Sequence, residues 1–526
     1  MKRRLFPLLI FVLLFEFLGI RYSIVAQKSL FTTEDSIKSI NFLRKQIFEV
    51  LQNFKEDKNN YGIAIYSLDK KEYYFKHNIE SYFIPASLTK LFTTFSAIHK
   101  LGVDYKVKTY LYADGQVVNG ILEGNLYIYG TGDALFNTND LDNFVVDVQK
   151  FGIKRINGSI FADPFFFDSQ TDRFVYSGDL DVVQKTQPIT SIAIQKNILT
   201  IIVSAGSIYG RGLNIQVLPE SEAIKVYSTA KVSKSIGNKD YYDEKQFQGY
   251  GGSNLIVQRR ISTKDSYSQQ ALKVSCEIND GGGQTLWISG RLPANTSKTY
   301  TFFIENPPLV VAGALKTRLQ KAGITVSGTF GIKQVPFDKA QVISIVSRDI
   351  KEILKEMDKE SDNYLAETVF KMIGAVEKRM TSNSKEAIRY IFSLLDSLKI
   401  PCLDCKMYDG SGLSRRNRFT PESIILLLLN IKQNPNFSFF DSLLAVAGFD
   451  GTLKNRMVGT KAAGRVFAKT GTHSNASGLA GYIKTLDNER LAFVFMYNGQ
   501  KVMSFKKLED EICRILAEFF YSNIQE

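Results

Sequence analysis

The chain has 526 residues, of which 44% are hydrophobic, 23% charged and 12% aromatic; this excludes a largely disordered protein, and the length predicts about two to four domains. Four cysteines exclude a disulfide-stapled mini-domain, and three histidines leave little room for a histidine-rich metal site. The net charge of +13 includes no dense basic run, which argues against a dedicated nucleic-acid surface.

The N-terminus has the pattern of a secretory signal peptide. Basic residues at 2–4 precede an apolar run over 5–18, and Ala26 is a small residue at a suitable cleavage point. We therefore predict a signal peptide over 1–26 and a periplasmic or otherwise exported mature protein. An uncleaved membrane anchor is the alternative, although Glu16 and the polar residues after the run shorten the apolar span.

Hydrophobic periodicity predicts two helices around a β-hairpin in the next part of the chain. Apolar residues recur at helical spacing over 35–54, and two strand-like runs follow at 61–68 and 72–76. A second helix is predicted to start near Ser87.

The pattern changes near residue 106. Short β-type runs between polar or glycine-rich turns predict strands at 106–112, 125–129, 159–161, 199–203, 225–227, 272–278 and 285–289. Helical patterns then return and predict helices over 309–322, 349–358, 362–379, 384–398, 420–431 and 503–522. Two further strands are predicted at 478–484 and 490–496. Together these elements indicate a helix-and-sheet domain split between 27–105 and 300–526, with a β-rich insertion over 106–299.

Ser87 and Lys90 form an S-x-x-K motif at the predicted helix start. At this spacing the two side chains share one face of a helix, with Cβ atoms about 5–6 Å apart. A lysine whose pKa is lowered by burial or by a second cation can take the proton of a serine nucleophile. Alone the motif is weak, because a capping serine beside a solvated lysine gives the same pattern.

Two later motifs carry complementary chemistry. An S-D-N motif at 361–363 precedes a predicted helix, and a K-T-G-T motif at 469–472 lies directly before the predicted strand pair. A serine hydroxyl can relay protons, and an asparagine amide can both donate and accept. An edge strand can bind an extended peptide, Gly471 would let the substrate approach closely, and Lys469 would supply a second cation. Alone, the first motif is better explained as a Ser-Asp helix N-cap, and an ordinary hairpin flank is the alternative for the second.

In this order the three motifs resemble the set found in penicillin-binding proteins and class A β-lactamases. Further segments narrow the resemblance: D-G-S-G-L-S-R-R-N over 409–417, G-T-G-D over 130–133 and A-G-F-D-G-T-L over 447–453. The long gap between the first two motifs also fits. Over about residues 40–520 the chain is similar to the D-alanyl-D-alanine carboxypeptidase/endopeptidase family, the low-molecular-mass class C penicillin-binding proteins.

The resemblance implies an α/β (α+β) fold of the penicillin-binding and serine β-lactamase type, with an antiparallel sheet flanked by helices and a mostly β insertion in two parts. It implies a serine D-Ala-D-Ala carboxypeptidase, with D,D-endopeptidase action as a further activity, that hydrolyses peptidoglycan stem peptides and is acylated by β-lactams. The implied catalytic residues are Ser87 (nucleophile), Lys90 (base for acylation), Ser361, Asn363 and Lys469.

The resemblance also implies how substrate is held. Thr470 and Gly471 would bind the peptide and its C-terminal carboxylate, and the backbone N–H groups of Ser87 and Thr472 would form an oxyanion hole. Arg415, and Asp163 with the nearby Phe167, would bind the free end of a diamino-acid stem. For Asp163 a turn residue is the alternative. His473, just after the K-T-G-T motif, lies where it could contact substrate, but a surface position at a strand edge is the preferred expectation.

No metal, organic cofactor or nucleic-acid partner is implied, and a membrane contact is expected only through an uncleaved signal peptide. Cys402 and Cys405 form a C-x-x-C whose disulfide and free-thiol forms are both open. Cys276 and Cys513 are expected in buried cores. Two rival functions stay open, namely a β-lactamase-like hydrolase on the same fold and a non-catalytic wall-binding scaffold.

Overall fold

The computed structural model of the protein describes residues 33–180, 184–233, 246–248, 254–256, 271–376 and 383–520. The predicted signal peptide over 1–26 lies outside these residues. Within the described ranges we find no helix with the length and hydropathy needed to cross a membrane.

The helices and strands follow in chain order. Within the described residues, the α-helices are α1 (Thr33–Asn53), α2 (Thr89–Leu101), α3 (Thr138–Lys150), α4 (Arg173–Ser177), α5 (Pro307–Lys321), α6 (Ile350–Lys359), α7 (Asn363–Ala375), α8 (Asn383–Ser397), α9 (Pro421–Gln433), α10 (Phe437–Leu443) and α11 (Val502–Glu518). The strands of the two chain ends and of the first part of the insertion are β1 (Tyr61–Ser67), β2 (Glu72–His77), β3 (Lys106–Ala113), β4 (Val117–Val118), β5 (Ile121–Leu122), β6 (Leu126–Gly130), β7 (Arg155–Ile156) and β8 (Ile160–Asp163). Those that follow are β9 (Ile198–Ser204), β10 (Asn214–Leu218), β11 (Ile224–Ser228), β12 (Lys231–Ser233), β13 (Gln246–Gln248), β14 (Asn254–Ile256), β15 (Lys273–Ile278), β16 (Gln284–Ser289), β17 (Arg291–Pro293), β18 (Ser297–Phe303), β19 (Thr325–Val326), β20 (Phe330–Ile332), β21 (Gln341–Asp349), β22 (Ala445–Val446), β23 (Val466–His473), β24 (Ala476–Lys484) and β25 (Arg490–Asn498).

Strands from both ends of the chain form one antiparallel sheet in the order β2-β1-β25-β24-β23-β22. Ile63 of β1 pairs with Phe495 of β25, and both side chains pack in the core beneath α1 and α11. Their neighbours Ala64 and Val494 face the opposite core, which α2, α7 and α9 cover. Because both faces are buried, β24 and β25 are almost continuous apolar runs. The predicted antiparallel sheet flanked by helices is confirmed.

The insertion is built mostly of short sheets, as predicted. A five-stranded sheet has the order β20-β8-β6-β3-β21, a four-stranded one β19-β7-β5-β4, and two three-stranded ones β10-β9-β18 and β11-β16-β15. Helices α3 and α5 pack with them around one connected hydrophobic core. The division of the insertion into two parts stays a prediction.

The β-rich region continues past residue 299. Strand β21 pairs with β3, and β19 and β20 pair with β7 and β8. The helix predicted over 309–322 is present as α5, but it packs in the core of the insertion. The predicted domain boundary at 300 therefore does not coincide with a change of core, because helical spacing predicts a helix without indicating which core it covers.

Some local features differ from expectation or were left open. Helix α3 lies inside the β-rich region and begins with a capping box, in which Asn137 and Asp140 each accept the other's backbone N–H. Cys402 and Cys405 are joined by a disulfide, which is one of the two forms that the sequence leaves open for this C-x-x-C. Cys513 is buried as predicted, whereas Cys276 is only half-buried.

The close packing of α7 against α8 depends on a glycine. A Cβ atom on Gly374 would lie 1.9 Å from the carbonyl oxygen of Asn383. Alanine favours an isolated helix over glycine by about 1 kcal/mol, but overpacking costs about 1–3 kcal/mol. We therefore expect Gly374→Ala to lower the free energy of unfolding in urea. A variant more stable than the parent would contradict this packing.

Candidate active site

Ser87 lies in a short turn that leads directly into α2. The residues Ala86–Leu88 form a 3₁₀ turn, and Leu88 N donates to Pro85 O at 3.2 Å. Ala86 has a φ of +47°, in the left-handed region that residues other than glycine seldom adopt. Ser87 is half-buried between two buried neighbours. Strain of this kind recurs at functional sites, where the surrounding packing holds it in place.

Lys90, one helical turn further on, is fully buried and faces three oxygen atoms. Its Nζ lies 3.0 Å from Ser87 Oγ, 2.7 Å from Asn363 Oδ1 and 2.7 Å from the Ser411 carbonyl oxygen. Amide and carbonyl oxygens only accept hydrogen bonds. When Lys90 is a neutral amine, these two oxygens accept its two N–H groups. The nitrogen lone pair then faces the hydroxyl of Ser87. The arrangement therefore suits proton transfer from Ser87 to Lys90.

A second buried lysine lies on the sheet side of the cleft. Lys469 of β23 donates to Ser361 Oγ at 2.7 Å and to the Thr470 carbonyl at 3.0 Å. Ser361 has a φ of +58° and is followed by Asp362, whose side chain caps α7 by accepting from Leu365 N. The S-D-N motif thus lies at a helix start, as predicted, and links the two lysines through Ser361 and Asn363.

Burial controls the charge of both amines. It lowers the pKa of Lys90 to about 8, although nearby carboxylates, Glu367 foremost, act in the opposite direction. Burial and the like charge of Lys90 lower the pKa of Lys469. Asp358 is also fully buried, which raises its pKa, and it accepts from Thr94 Oγ1 at 2.7 Å. The site thus brings the deprotonation of Lys90 from its ordinary alkaline range to near pH 8.

The outer edge of β23 is open beside these side chains. Strand β22 pairs only with Phe467 and Ala468, so within the described residues 469–473 have a strand partner on the β24 side alone. Thr470 Oγ1 donates to Thr452 Oγ1 at 2.8 Å, from the A-G-F-D-G-T-L segment. An open edge of this length can bind an extended peptide by backbone hydrogen bonds.

Gly471 allows β23 to lie against the turn that carries Ser87. A Cβ atom there would lie 2.7 Å from Pro85 O and 3.1 Å from Ser87 N. The sequence predicts that Gly471 lets substrate approach closely. In the structure, the atoms nearest to its Cβ position belong instead to the chain's own turn at 85–88. Gly412 has a similar role on the opposite side, with a φ of +84° and a Cβ position 1.9 Å from Ala86 O.

His473 and Arg415 lie at the far end of β23. His473 is only 4% exposed and its Nε2 lies 2.9 Å from the Gly412 carbonyl, so the expected surface position was wrong. Burial lowers its pKa, which favours a neutral ring that donates to Gly412. Arg415 is half-buried and donates from Nη2 to Ser474 Oγ at 2.7 Å.

Asp163 is placed differently from the other predicted residues. It ends β8 and is 1% exposed, and its two carboxylate oxygens accept from Phe165 N at 3.0 Å and Val335 N at 2.7 Å. These contacts are those of the turn residue that we gave as the alternative. Phe167 is buried in the core shared with α7.

Sequence analysis missed the buried carboxylates around the lysines. Asp358 and Glu367 are single acidic residues on the apolar faces of α6 and α7. A carboxylate in a buried helix face is uncommon unless it is paired, and this signal was available in the sequence. Ser411 was within a recognised segment, but its function depends on a backbone carbonyl, which residue type does not reveal.

A substitution of Gly471 tests whether β23 positions the nucleophile. The added methyl of Gly471→Ala must displace the turn at 85–87, so we expect acylation of Ser87 by a penicillin to slow by about tenfold or more. Gly206→Ala is the control, because a Cβ there meets nothing within 4 Å. Unchanged acylation in the first variant would show that the turn relaxes without moving Ser87.

Comparisons with known proteins identify the family and the fold. The chain is 28% identical over 492 residues to a D-alanyl-D-alanine carboxypeptidase from Actinomadura sp., covering 91% of this chain and 85% of that one. It is 24% identical over 462 residues to the D-alanyl-D-alanine carboxypeptidase DacB of Haemophilus influenzae, covering 87% and 89%. The crystal structure of penicillin binding protein 4 from H. influenzae has the same fold, with a TM-score of 0.69 at 23% identity, covering 90% of this chain and 99% of that one. A model of the D-Ala-D-Ala carboxypeptidase 3 (S13) family matches residues 43–519, and the chain therefore belongs to that family.

Proposed function

We propose that the protein is a serine D-Ala-D-Ala carboxypeptidase that acts on peptidoglycan stem peptides through an acyl-enzyme at Ser87. The observation that carries this proposal is the position of Lys90, whose Nζ lies 3.0 Å from Ser87 Oγ while two acceptor oxygens take its N–H groups. The family membership and the names of the relatives from Actinomadura and Haemophilus support it.

Acylation follows from these contacts. The Ser87 hydroxyl gives its proton to Lys90 Nζ as Oγ attacks the carbonyl carbon of the penultimate D-Ala. The backbone N–H groups of Ser87 and Thr472 are the proposed donors to the oxyanion. The C–N bond then breaks, and the proton held by Lys90 passes to the leaving amine; Ser361, whose Oγ accepts from Lys469, is the proposed relay. Water hydrolyses the ester in the reverse sense and returns the proton to Ser87.

Substrate binding is proposed along the open edge of β23. Thr470 and Gly471 would pair with the peptide, and Lys469 with Thr470 would neutralise the terminal carboxylate. Asn363 directs Oδ1 to Lys90, so its Nδ2 group can donate to the substrate amide. Arg415 is placed to bind the free end of the stem, whereas the contacts of Asp163 leave it a turn residue in this scheme.

A β-lactam presents the same carbonyl and carboxylate in a ring, so we propose β-lactams as covalent inhibitors at Ser87. A second structure of the H. influenzae protein, with a TM-score of 0.64 at 23% identity, is complexed with a β-lactam. The basic and apolar N-terminus supports export to the wall compartment. The mechanism uses protein side chains and water alone.

Labelling with a fluorescent penicillin tests the nucleophile. Ser87→Ala should abolish the label, because no other group would then accept the acyl chain. Ser81→Ala, at an exposed serine nearby, should label like the parent. Persistent labelling of Ser87→Ala would remove Ser87 from this role.

Mass spectrometry of wall fragments after digestion defines the reaction. Loss of a terminal D-Ala is expected, cut crosslinks would add endopeptidase action, and rapid release of hydrolysed penicillin would favour a β-lactamase-like enzyme. Protein that binds sacculi but neither acylates nor releases D-Ala would favour the scaffold.

The lowered pKa of Lys90 predicts the pH dependence of acylation. Only the neutral amine can take the Ser87 proton, so the rate should rise about tenfold per pH unit below the pKa. It should level off near pH 8, the pKa of Lys90. Stopped-flow acylation with a chromogenic cephalosporin measures the profile. A rate that falls with rising pH in this range would exclude Lys90 as the base.

A further inference from the structure

A short helix of the insertion inserts a charged residue into the catalytic core. Arg173, the first residue of α4, is 1% exposed. One of its nitrogens, Nη1, lies 2.7 Å from Asp179 Oδ2 and 3.0 Å from Asp409 Oδ2. Asp179 belongs to the same segment, whereas Asp409 begins the D-G-S-G-L-S-R-R-N segment beside Ser87. The ion pair therefore crosses from the insertion to the active-site loop.

Asp409 organises that loop from within. Its Oδ1 accepts from Gly412 N at 3.0 Å and Asn417 Nδ2 at 2.8 Å, and its Oδ2 accepts from Ser414 N at 2.7 Å. A fully buried carboxylate needs a counter-charge as well as donors. Within the described residues its direct ion-pair partner is Arg173.

Glu367 of α7 makes a second connection. Its Oε1 accepts from Ser411 N at 2.7 Å, and its Oε2 accepts from Tyr176 of α4 at 2.8 Å. Ser411 in turn presents its carbonyl oxygen to Lys90 Nζ at 2.7 Å. Two routes of contact thus lead from α4 to the amine of Lys90, through Asp409 and through Glu367.

We propose that Arg173 and Tyr176 of α4 are positioning residues that hold the 409–417 loop so that the Ser411 carbonyl orients Lys90. We call this pair the α4 latch. The inference rests on the proposed function of Lys90 as the base for acylation. It gives the insertion an indirect part in catalysis, because the buried charge of Asp409 in the loop is neutralised by a residue that the catalytic segments do not contain.

A separate contact supports this function of the insertion. Lys196 lies in a turn whose three residues, 195–197, all have φ values between +52° and +57°. Its Nζ lies 3.0 Å from Asp362 Oδ2 in the S-D-N motif, and Asn197 Nδ2 donates to the hydroxyl of Tyr364 at 3.0 Å. The insertion therefore contacts both segments that hold Lys90.

The latch also affects the electrostatic environment of Lys90. The charged and titratable groups facing that amine are Lys469, Asp358, Glu367, Asp409, Asp362 and His473. Removing Arg173 leaves Asp409 and Glu367 less neutralised, which raises the pKa of Lys90. Removing the charge of Glu367 has the opposite effect. If these residues only stabilised the fold, removing Arg173 and removing the charge of Glu367 would not shift the pKa of Lys90 in opposite directions.

The test compares acylation rates of folded full-length variants by a chromogenic cephalosporin. Arg173→Met should slow the plateau rate about tenfold to a hundredfold. Arg173→Lys should recover part of the loss, because one nitrogen makes both ion pairs. Tyr176→Phe, which removes a single hydroxyl, should lower the rate by a smaller factor. Arg348→Met is the control, since the ion-pair partners of this partly buried arginine are Asp133, Asp140 and Glu352 rather than Asp409.

The pH profile supplies the second readout. The midpoint should move up in Arg173→Met and down in Glu367→Gln, each by about one pH unit or less. If both variants keep the parental rate and midpoint, the latch is overturned, even if stability falls. Amide hydrogen exchange over 409–417 tests whether Arg173 holds this loop, without relying on acylation. We expect faster exchange in Arg173→Met but not in Arg348→Met. Lack of acylation in the parent would refute the proposed function, while exchange would still test the latch.

Discussion

Two lysine amines share one buried cleft, and this constraint governs the arrangement of the site. Lys90 and Lys469 have no exposed surface, and a buried ammonium loses several kcal/mol of hydration. Each amine therefore needs acceptor oxygens at fixed positions or must lose its proton. A serine hydroxyl, an asparagine amide and a backbone carbonyl serve Lys90, and Ser361 with Thr470 serves Lys469. These contacts make burial of the amines tolerable, while the loss of hydration lowers the pKa of Lys90 to about 8 and so makes a neutral base accessible beside the nucleophile.

The acceptors come from segments far apart in the chain, so their geometry depends on close approaches of backbone. Gly412 and Gly471 lie on either side of the Ala86–Ser87 turn, and neither position has room for a Cβ atom without displacing that turn. The positive φ of Ala86 is thus maintained by packing on two sides. The buried carboxylates of Asp409 and Glu367 hold the 409–417 loop by accepting from its backbone N–H groups. The positive charge that pairs with Asp409 comes from Arg173 of the insertion.

Sequence reasoning was most successful where chemistry coincides with a local structural signal. The S-x-x-K and S-D-N motifs lie at helix starts, and K-T-G lies in a strand. At these positions the catalytic motif and the secondary structure predicted from the surrounding residues supported each other. Burial could not be predicted in the same way: His473 and Asp163 have polar side chains, and only tertiary packing encloses them. Arg173 left no signal, because its importance depends on Asp409, with which it is brought together only by the completed fold.

The pairing of β1 with β25 has a consequence for the order of folding. Contacts across this pair, such as Ile63 with Phe495, join the two ends of the chain. Beside the pair, the Tyr74 hydroxyl of β2 donates to Glu489, 415 positions away. The central sheet therefore cannot close until the last strand has emerged from synthesis or export, whereas the insertion can form its own core from a continuous segment. Loop closure over such a distance is slow relative to local contacts. The insertion, folded first, would shorten that closure by bringing α2 and α6 together, because its first strand β3 pairs with its last strand β21.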